Sequence, residues 1–567
     1  MKHRVNHARP RAQHYWTAFA GLVALIAMIL AIFTFPMLAA HANSAAALKT
    51  PTGTSTASPT VTKTPQSSPT ATKTPTKTPT PSPTGTTTPT PTPHPGSGPG
   101  SKSWYFAEGK VGQGFTEFLT IANPDAVNDC SVNIEYFLGS GSPVTKTASI
   151  LHASRFTESV NTDLNISTTS TTYQTVSAFI QVNSTTTPNC TGVVAERPMY
   201  FNSFDGVRSG SDVLGATHTG KTFYFADVTS GPGYASFITI LNPGTTAANI
   251  TATYNIGGSV AATQTLQVAA GARGTIIPTN TGSVRHAAVV VTSDQPVVAE
   301  RPTYFSNISA GNAHTVSGAA SVVGEQTLTS DWLFAEGYTG GSFQENLILA
   351  NFSTTAVTAN VLLEFSNGHT ETVSQTISAL SQTFVDVNAT IANHLGTCDT
   401  NPCQPTPDVS AEITGNANFI AQREMFFQYN HVANGRSLTA MGVTDVIGQG
   451  GPAATRAYGF AEGYTNVGYD EWLTLQNPTT ASESIKVTLL NADGKSFSGS
   501  FTVGAKSRFT IDIVALVLQN LIVPNDTFKG YEVSMVVTAS QPFVAERPMY
   551  WNTGSSGTQG GSDIIGF

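Results

Sequence analysis

Charge is scarce in this chain. Lys, Arg, Asp and Glu make up only 11% of its 567 residues, and the formal net charge is -8. A sparse and net-acidic charge leaves no basic surface for a polyanion, so nucleic acid is excluded as a partner. The 12 histidines are scattered, with no His-Glu-x-x-His and no Cys/His cluster, so no zinc site is implied. There is no Gly-x-Ser-x-Gly elbow and no phosphate-binding glycine loop. Neither a cofactor nor a metal is expected. Helical periodicity is nearly missing, and one long apolar run, near the N-terminus, is the only candidate for a membrane span. Cysteines number 4 and fall as local pairs, Cys130 with Cys190 and Cys398 with Cys403. Even pairing in an exported chain favours disulfides over metal, with unrelated buried thiols as the alternative. A Cys398–Cys403 bridge would close a small ring and pin an insertion.

What the chain does have is repetition. Trp104-Tyr-Phe-Ala-Glu-Gly109 returns as Phe223-Tyr-Phe-Ala-Asp-Val228, Trp332-Leu-Phe-Ala-Glu-Gly337 and Tyr458-Gly-Phe-Ala-Glu-Gly463. A second anchor closes each copy: Glu196-Arg-Pro-Met-Tyr-Phe201, Glu300-Arg-Pro-Thr-Tyr-Phe305, Gln422-Arg-Glu-Met-Phe-Phe427 and Glu546-Arg-Pro-Met-Tyr-Trp551. The central phenylalanines, at 106, 225, 334 and 460, are one domain length apart. Four repeats follow, over 102–217, 218–327, 328–450 and 451–567.

Ahead of them, Lys2, Arg4, Arg9 and Arg11 lead an apolar run from Trp16 to Phe35, and Ala40-His-Ala42 follows. This is an export signal over 1–42, either cleaved after Ala42 or kept as a hydrophobic signal-anchor helix. Both readings place the remainder outside the cytoplasm, extracellular or on the cell surface, and confine membrane contact to an uncleaved N-terminal segment. With no C-terminal anchor or sorting motif in view, attachment rests on that segment. Residues 43–101 are rich in Thr, Pro and Ser, cannot bury a core, and read as a disordered stalk, O-glycosylated or bare.

Within each repeat, alternating blocks end in a turn, as in Phe118-Leu-Thr-Ile-Ala-Asn-Pro124 and Trp472-Leu-Thr-Leu-Gln-Asn-Pro478. The inward phase carries Leu119/Ile121, Ile238/Ile240, Leu347/Leu349 and Leu473/Leu475. Proline, lacking an N–H, ends the strand. A second strand follows, with Val132/Ile134/Tyr136 and their counterparts inward. Then comes a small-residue turn before an arginine (Arg155, Arg273, Arg508), with Gln382 in the third copy. About seven short strands per ~115 residues predict an all-β chain of tandem antiparallel β-sandwiches. A short helix within Ile511–Leu521 is the exception.

The Phe-Ala-Glu-Gly opening, the Asn-Pro strand end, the small-Ser-Arg turn and the Val-Ala-Glu-Arg-Pro-Met-Tyr close resemble a repeat common in exported bacterial proteins, with no assigned activity. The strand–Asn-Pro–strand portion is similar to immunoglobulin-like bacterial surface modules. The first resemblance covers Trp104 to the C-terminus. The second repeat departs from it at Val228 and Thr303, the third at Phe352, Gln382 and Glu424.

An opening acid (Glu108, Asp227, Glu336, Glu462) and a closing arginine (Arg197, Arg301, Arg423, Arg547) recur in every copy. Each pair is expected to meet across the ends of its own repeat as a structural clasp, since an arginine fork suits a carboxylate. A general acid/base couple of Glu108 and Glu196 is the catalytic counter-reading. Trp104, Trp332, Trp472 and Trp551 are candidates for stacking on sugar rings if exposed, and core or contact residues otherwise. Asp212, Asp445 and Asp563 are read as turn caps rather than calcium ligands. The expected product is a non-enzymatic secreted or cell-surface structural or adhesive protein, its modules in a row on a stalk, with surface glycans or extracellular proteins as partners. A carbohydrate- or cell-wall-binding array and an extracellular hydrolase are the alternatives.

Overall fold

The computed structural model describes residues 99–394 except 205, 406–518 except 434 and 452–454, and 531–567 except 555–556. The export signal, the stalk, and Cys398 with Cys403 lie outside the described residues.

The chain is all-β, built of antiparallel sheets. The third repeat shows the plan. One layer runs Thr370–Ile377, Val357–Phe365, the first half of Val409–Ala433, then Thr329–Phe334. The other runs Ser381–Asp386, Phe343–Asn351, the second half of Val409–Ala433, then Arg436–Ile447. One long strand therefore passes from layer to layer and holds them face to face. The inward phases meet between the layers: Leu347, Leu349, Val361, Leu363 and Phe365 are at most 1% exposed. The other repeats pair their strands in the same order, each around its own apolar core. In the first, Cys130 and Cys190 are joined as a disulfide.

Two local expectations need correction. Proline does not set the strand end, because the third repeat turns at Asn351 with Phe352 following. The asparagine does: Asn123, Asn242, Asn351 and Asn477 are all 0% exposed. Each Nδ2 donates to carbonyls across the turn, at 2.7 Å for Asn351 to Thr355 and Asn477 to Ala481. The helix is not confined to the fourth repeat either. Val160–Asp163, Val387–His394 and Ile513–Leu518 occupy equivalent places. Ser159, Asp386 and Asp512 cap them by accepting from Thr162, Ala389 and Ala515 backbone N–H groups. The second repeat has Ile277 at the capping position, with no side-chain oxygen to accept, and 277–280 form no helix.

The larger correction is to the row of modules. The repeats close into a ring, in which each touches the next and the fourth touches the first. We number the seams by the repeats they join: first (one to two), second (two to three), third (three to four) and fourth (four to one). Around the axis lie Val207–Ser211, Thr315–Val323, Arg436–Ile447 and Gln559–Ser562, one strand from each repeat. Small residues let them approach: a Cβ built on Gly318 would sit 3.0 Å from Gly442 Cα, and one on Gly442 3.3 Å from Gly560 Cα. Only a cavity of about 10 Å³ remains there, lined from all four repeats by Asp212, Ser321, Asp445 and Asp563 among others. It has room for about one water.

A Gly442→Val side chain would also strike Phe427, whose Cζ lies 2.8 Å from the Cβ position. Overpacking of this kind is expected to cost about 1–3 kcal/mol in denaturant unfolding. An unchanged midpoint would show that the axis is not packed as described.

Candidate functional site

The residues that recur in every copy converge on the seams. Take first the closing aromatic pairs. The second ring of one repeat packs on the first ring of the next, all the way round: Phe201 on Tyr304 (5.3 Å), Phe305 on Phe426 (5.6 Å), Phe427 on Tyr550 (5.0 Å) and Trp551 on Tyr200 (5.4 Å). These are edge-to-face contacts, the geometry that ring quadrupoles favour.

The charged residues follow the same rule, and here the clasp within one repeat is overturned. The opening acid of one repeat faces the turn arginine of the next. Glu108 Oε2 accepts from Arg273 at 3.2 Å, Glu336 from Arg508 at 3.0 Å, and Glu462 from Arg155 at 2.9 Å. At the second seam Gln382 donates to Asp227 at 2.7 Å. The closing arginine also reaches forward. Arg197 meets Glu300 at 2.7 Å, Arg301 meets Asp445, Arg423 meets Glu546 at 2.7 Å and Asp563, and Arg547 meets Glu196 at 2.8 Å and Asp212 at 2.7 Å. The physical reason is reach and burial. Both anchors stand at the edge of their own repeat, where the neighbouring repeat supplies the carboxylates; home-repeat contacts are to neutral groups, as where Arg423 donates to the Glu336 backbone carbonyl and Arg301 to Thr303 Oγ1. Arg197, Arg423 and Arg547 are 0% exposed.

The closing glutamates have a second duty. Their other oxygen accepts backbone N–H groups of the preceding opening motif, from Ala107 and Glu108 to Glu300, Ala335 to Glu546, and Ala461 to Glu196. Glu108 and Glu196 therefore face different neighbours, on the first and fourth seams, and form no acid/base couple. Asp212, Asp445 and Asp563 cap no exposed turn; each is buried against an arginine of the preceding repeat.

Three buried acids escaped the sequence reading. Glu117, Glu345 and Glu471 stand near the start of the Asn-ended strand and are at most 2% exposed. Burial pushes each carboxyl up to about 8. A legible signal existed, since each fits against the glycine that closes the opening motif. A Cβ on Gly109 would lie 2.6 Å from Glu117 Oε1, and one on Gly337 2.8 Å from Glu345 Oε1. The second repeat changes both members together, to Val228 and Ser236, and the hydroxyl of Ser236 bonds Thr303 at 2.8 Å instead. Ser236 and Thr303 thus answer one another. Phe352 similarly fills its seam by packing on Tyr224 at 5.0 Å. Where Gln382 stands for arginine, His286 lies 3.2 Å from Asp227. Burial opposes its charge, but Asp227 outweighs that and raises its pKa.

The tryptophans do not form an exposed row. Trp104 and Trp332 are 0% and Trp551 is 1% exposed. Trp104 and Trp332 use their indole N–H on Val193 and Phe419 carbonyls. Trp472 is half-buried and donates to Tyr429 Oη at 3.1 Å. Trp104, Trp332 and Trp551 therefore present no face for a sugar ring. A shallow depression of about 280 Å³ does open at the first seam, lined by Tyr105, Glu135, Phe137, Phe179, Pro243 and Pro296 among others. Tyr105 and Phe179 stack there at 4.4 Å. Among the described residues no group of three His, Cys, Asp or Glu is placed to hold a metal. No helix among them is long and apolar enough to cross a membrane.

No family model matches the chain. No curated protein matches it either. Among solved structures it is similar to "Crystal Structure of Thermotoga maritima 1070", at 14% identity, over 22% of this chain and 97% of that one, with a TM-score of 0.17. At that score the likeness carries no argument about fold or function.

Two outcomes follow for the seams. Arg547→Ala strands the buried Glu196 and Asp212 and should cost about 3–5 kcal/mol in unfolding experiments; a loss below about 1 kcal/mol would make the pair a surface contact in energetic terms. For pH, the folded-state values of Glu117, Glu345 and Glu471 exceed the ordinary 4.5 and reach about 8. Folding therefore takes up protons between those limits. That stability is fully present below 4.5 and is lost as the pH rises toward 8. Glu345→Gln should flatten the fall of the thermal midpoint over this range, and a midpoint that instead rises from pH 5 to pH 8 would contradict the assignment.

Proposed function

We propose that this is a non-enzymatic structural or adhesive protein, exported to the cell surface or secreted, which presents one rigid four-repeat ring on a Thr/Pro-rich stalk. The observation that carries the reading is where the recurrent polar groups are spent. The acids and arginines common to the copies are buried partners of one another across seams, and the axial cavity of about 10 Å³ admits no substrate. The Cys130–Cys190 bond suits an oxidising compartment. The immunoglobulin-like class of each repeat, membership of the uncharacterised exported bacterial repeat, and the cleaved or retained export signal belong to the same proposal.

A ligand-binding reading, for a glycan or another extracellular protein, keeps one support. The depression of about 280 Å³ combines stacked rings, prolines and a carboxylate, the kind of surface that receives an extended or ring-shaped ligand.

The deciding experiment is a binding screen of the purified protein against cell-wall polysaccharides, other surface glycans and extracellular matrix proteins, with Phe179→Ala beside it. The structural reading expects no glycan bound with a Kd below about 1 mM, the weak limit of useful recognition. Saturable glycan binding that Phe179→Ala weakens at least tenfold, with the fold intact, would replace it by the carbohydrate-binding reading. Turnover of any polysaccharide would overturn both.

A further inference from the structure

The four closing arginines sit in stations that are alike in shape but not in composition. At the fourth seam a single nitrogen, Arg547 Nη2, donates to Glu196 Oε2 at 2.8 Å and to Asp212 Oδ2 at 2.7 Å. At the third, Arg423 Nη2 does the same to Glu546 Oε2 and Asp563 Oδ2. Two buried carboxylates thus share one guanidinium nitrogen, and like charges that close cannot both ionise at little cost.

The other two stations show what takes the place of the second charge. At the first seam the position of Asp212 is held by Ser321, whose hydroxyl donates to Glu300 Oε1 at 2.7 Å while Arg197 holds the same oxygen. At the second, the position of Glu196 is held by Gln422, whose amide bonds the Asp445 carboxylate. In both, the arginine faces one carboxylate, and a neutral group supplies a hydrogen to it. Where the sequence offers two acids instead, that hydrogen has one source left.

We propose that the third and fourth seams each bind one structural proton, shared between Glu546 and Asp563 and between Glu196 and Asp212. One member of each pair is a carboxylic acid whose O–H donates to the other's carboxylate oxygen. A single negative charge then faces each arginine, and both protons are taken from water when the ring closes. The surroundings do not offer a second cation for either pair. Around the fourth station stand Glu462, Glu471, Tyr200 and Tyr469, with Arg155 already on Glu462; around the third stand Glu336, Glu345, Tyr429 and Tyr550, with Arg508 already on Glu336. In keeping with this, burial and then the neighbouring acid raise the Glu196 and Asp563 carboxyls well above the ordinary range.

The chain itself supplies the variants. In the full-length protein, Asp212→Ser copies the first station and Glu546→Gln copies the second. Each is expected to stay folded at pH 7, to take up one proton fewer on folding, and to lessen the pH dependence of the folding constant by a factor of ten per pH unit above the ordinary carboxyl range. The infrared carbonyl band of protonated carboxyl groups at pH 7 should shrink in each, though not vanish, because Glu117, Glu345 and Glu471 contribute to it. Ser321→Asp is the converse: it should add one proton of uptake and a new loss of stability as the pH rises above the ordinary carboxyl range. An unchanged band and unchanged pH slope in Asp212→Ser and Glu546→Gln would overturn the proposal. So would a Ser321→Asp protein that folds without taking up the extra proton.

Discussion

An arginine of one repeat buried against a carboxylate of the next is the contact on which the rest of the molecule depends. A guanidinium taken out of water costs several kcal/mol unless its charge is met, and the neighbour's carboxylate is what meets it. Each repeat supplies its closing arginine and opening acid on one side, and, in three copies, its closing acid and its turn arginine on the other. An interface of that head-to-tail kind either runs on as a filament or closes on itself. Here four copies close it, and the glycine-rich strands at the axis are what allow the closing distance. The edge-to-face chain of closing aromatics then seals the same seams with apolar area, lowering the dielectric around the ion pairs and strengthening them.

Much of this fold was legible. The alternating blocks named the strands and their inward faces, and Leu119, Ile240, Leu363 and Val487 are buried as the phase required. The repeat count, and the sense that the opening acids and closing arginines are structural, came from recurrence alone. The partners did not. In a chain of near-copies, a residue's counterpart in its own repeat and in the next repeat are the same letter, so sequence cannot say whether Glu108 belongs with Arg155 or with Arg273. The same degeneracy hid the ring: a row and a closed ring of these repeats share every motif and differ only in whether Arg155 finds Glu462. Glu117, Glu345 and Glu471 went unseen because a glutamate in an alternating block reads as solvent-facing, and only the glycine three-dimensionally opposite makes room for it.

The departures between copies turn out to be paired changes rather than decay. Val228 goes with Ser236, Gln382 with the nearby His286, Ser321 with the retained Glu300, and Gln422 with the retained Asp445. At each seam the closing arginine keeps at least one carboxylate. Such compensation is what a shared buried network demands, because a half-satisfied station is worse than an apolar one. It also bears on function: a chain that spends its recurrent charge on its own closure has built a rigid body, and what it displays to the outside is decided by the exposed faces and by single-copy features such as the Tyr105–Phe179 depression.

Closure of the ring is the central claim, and small-angle X-ray scattering from the fragment Pro99–Phe567 tests it most directly. A compact body of this length has a radius of gyration of about 23 Å, and the ring predicts a value near that, with a single-peaked distance distribution. A markedly larger radius with a long-tailed distribution, as four modules in a row would give, would contradict the account.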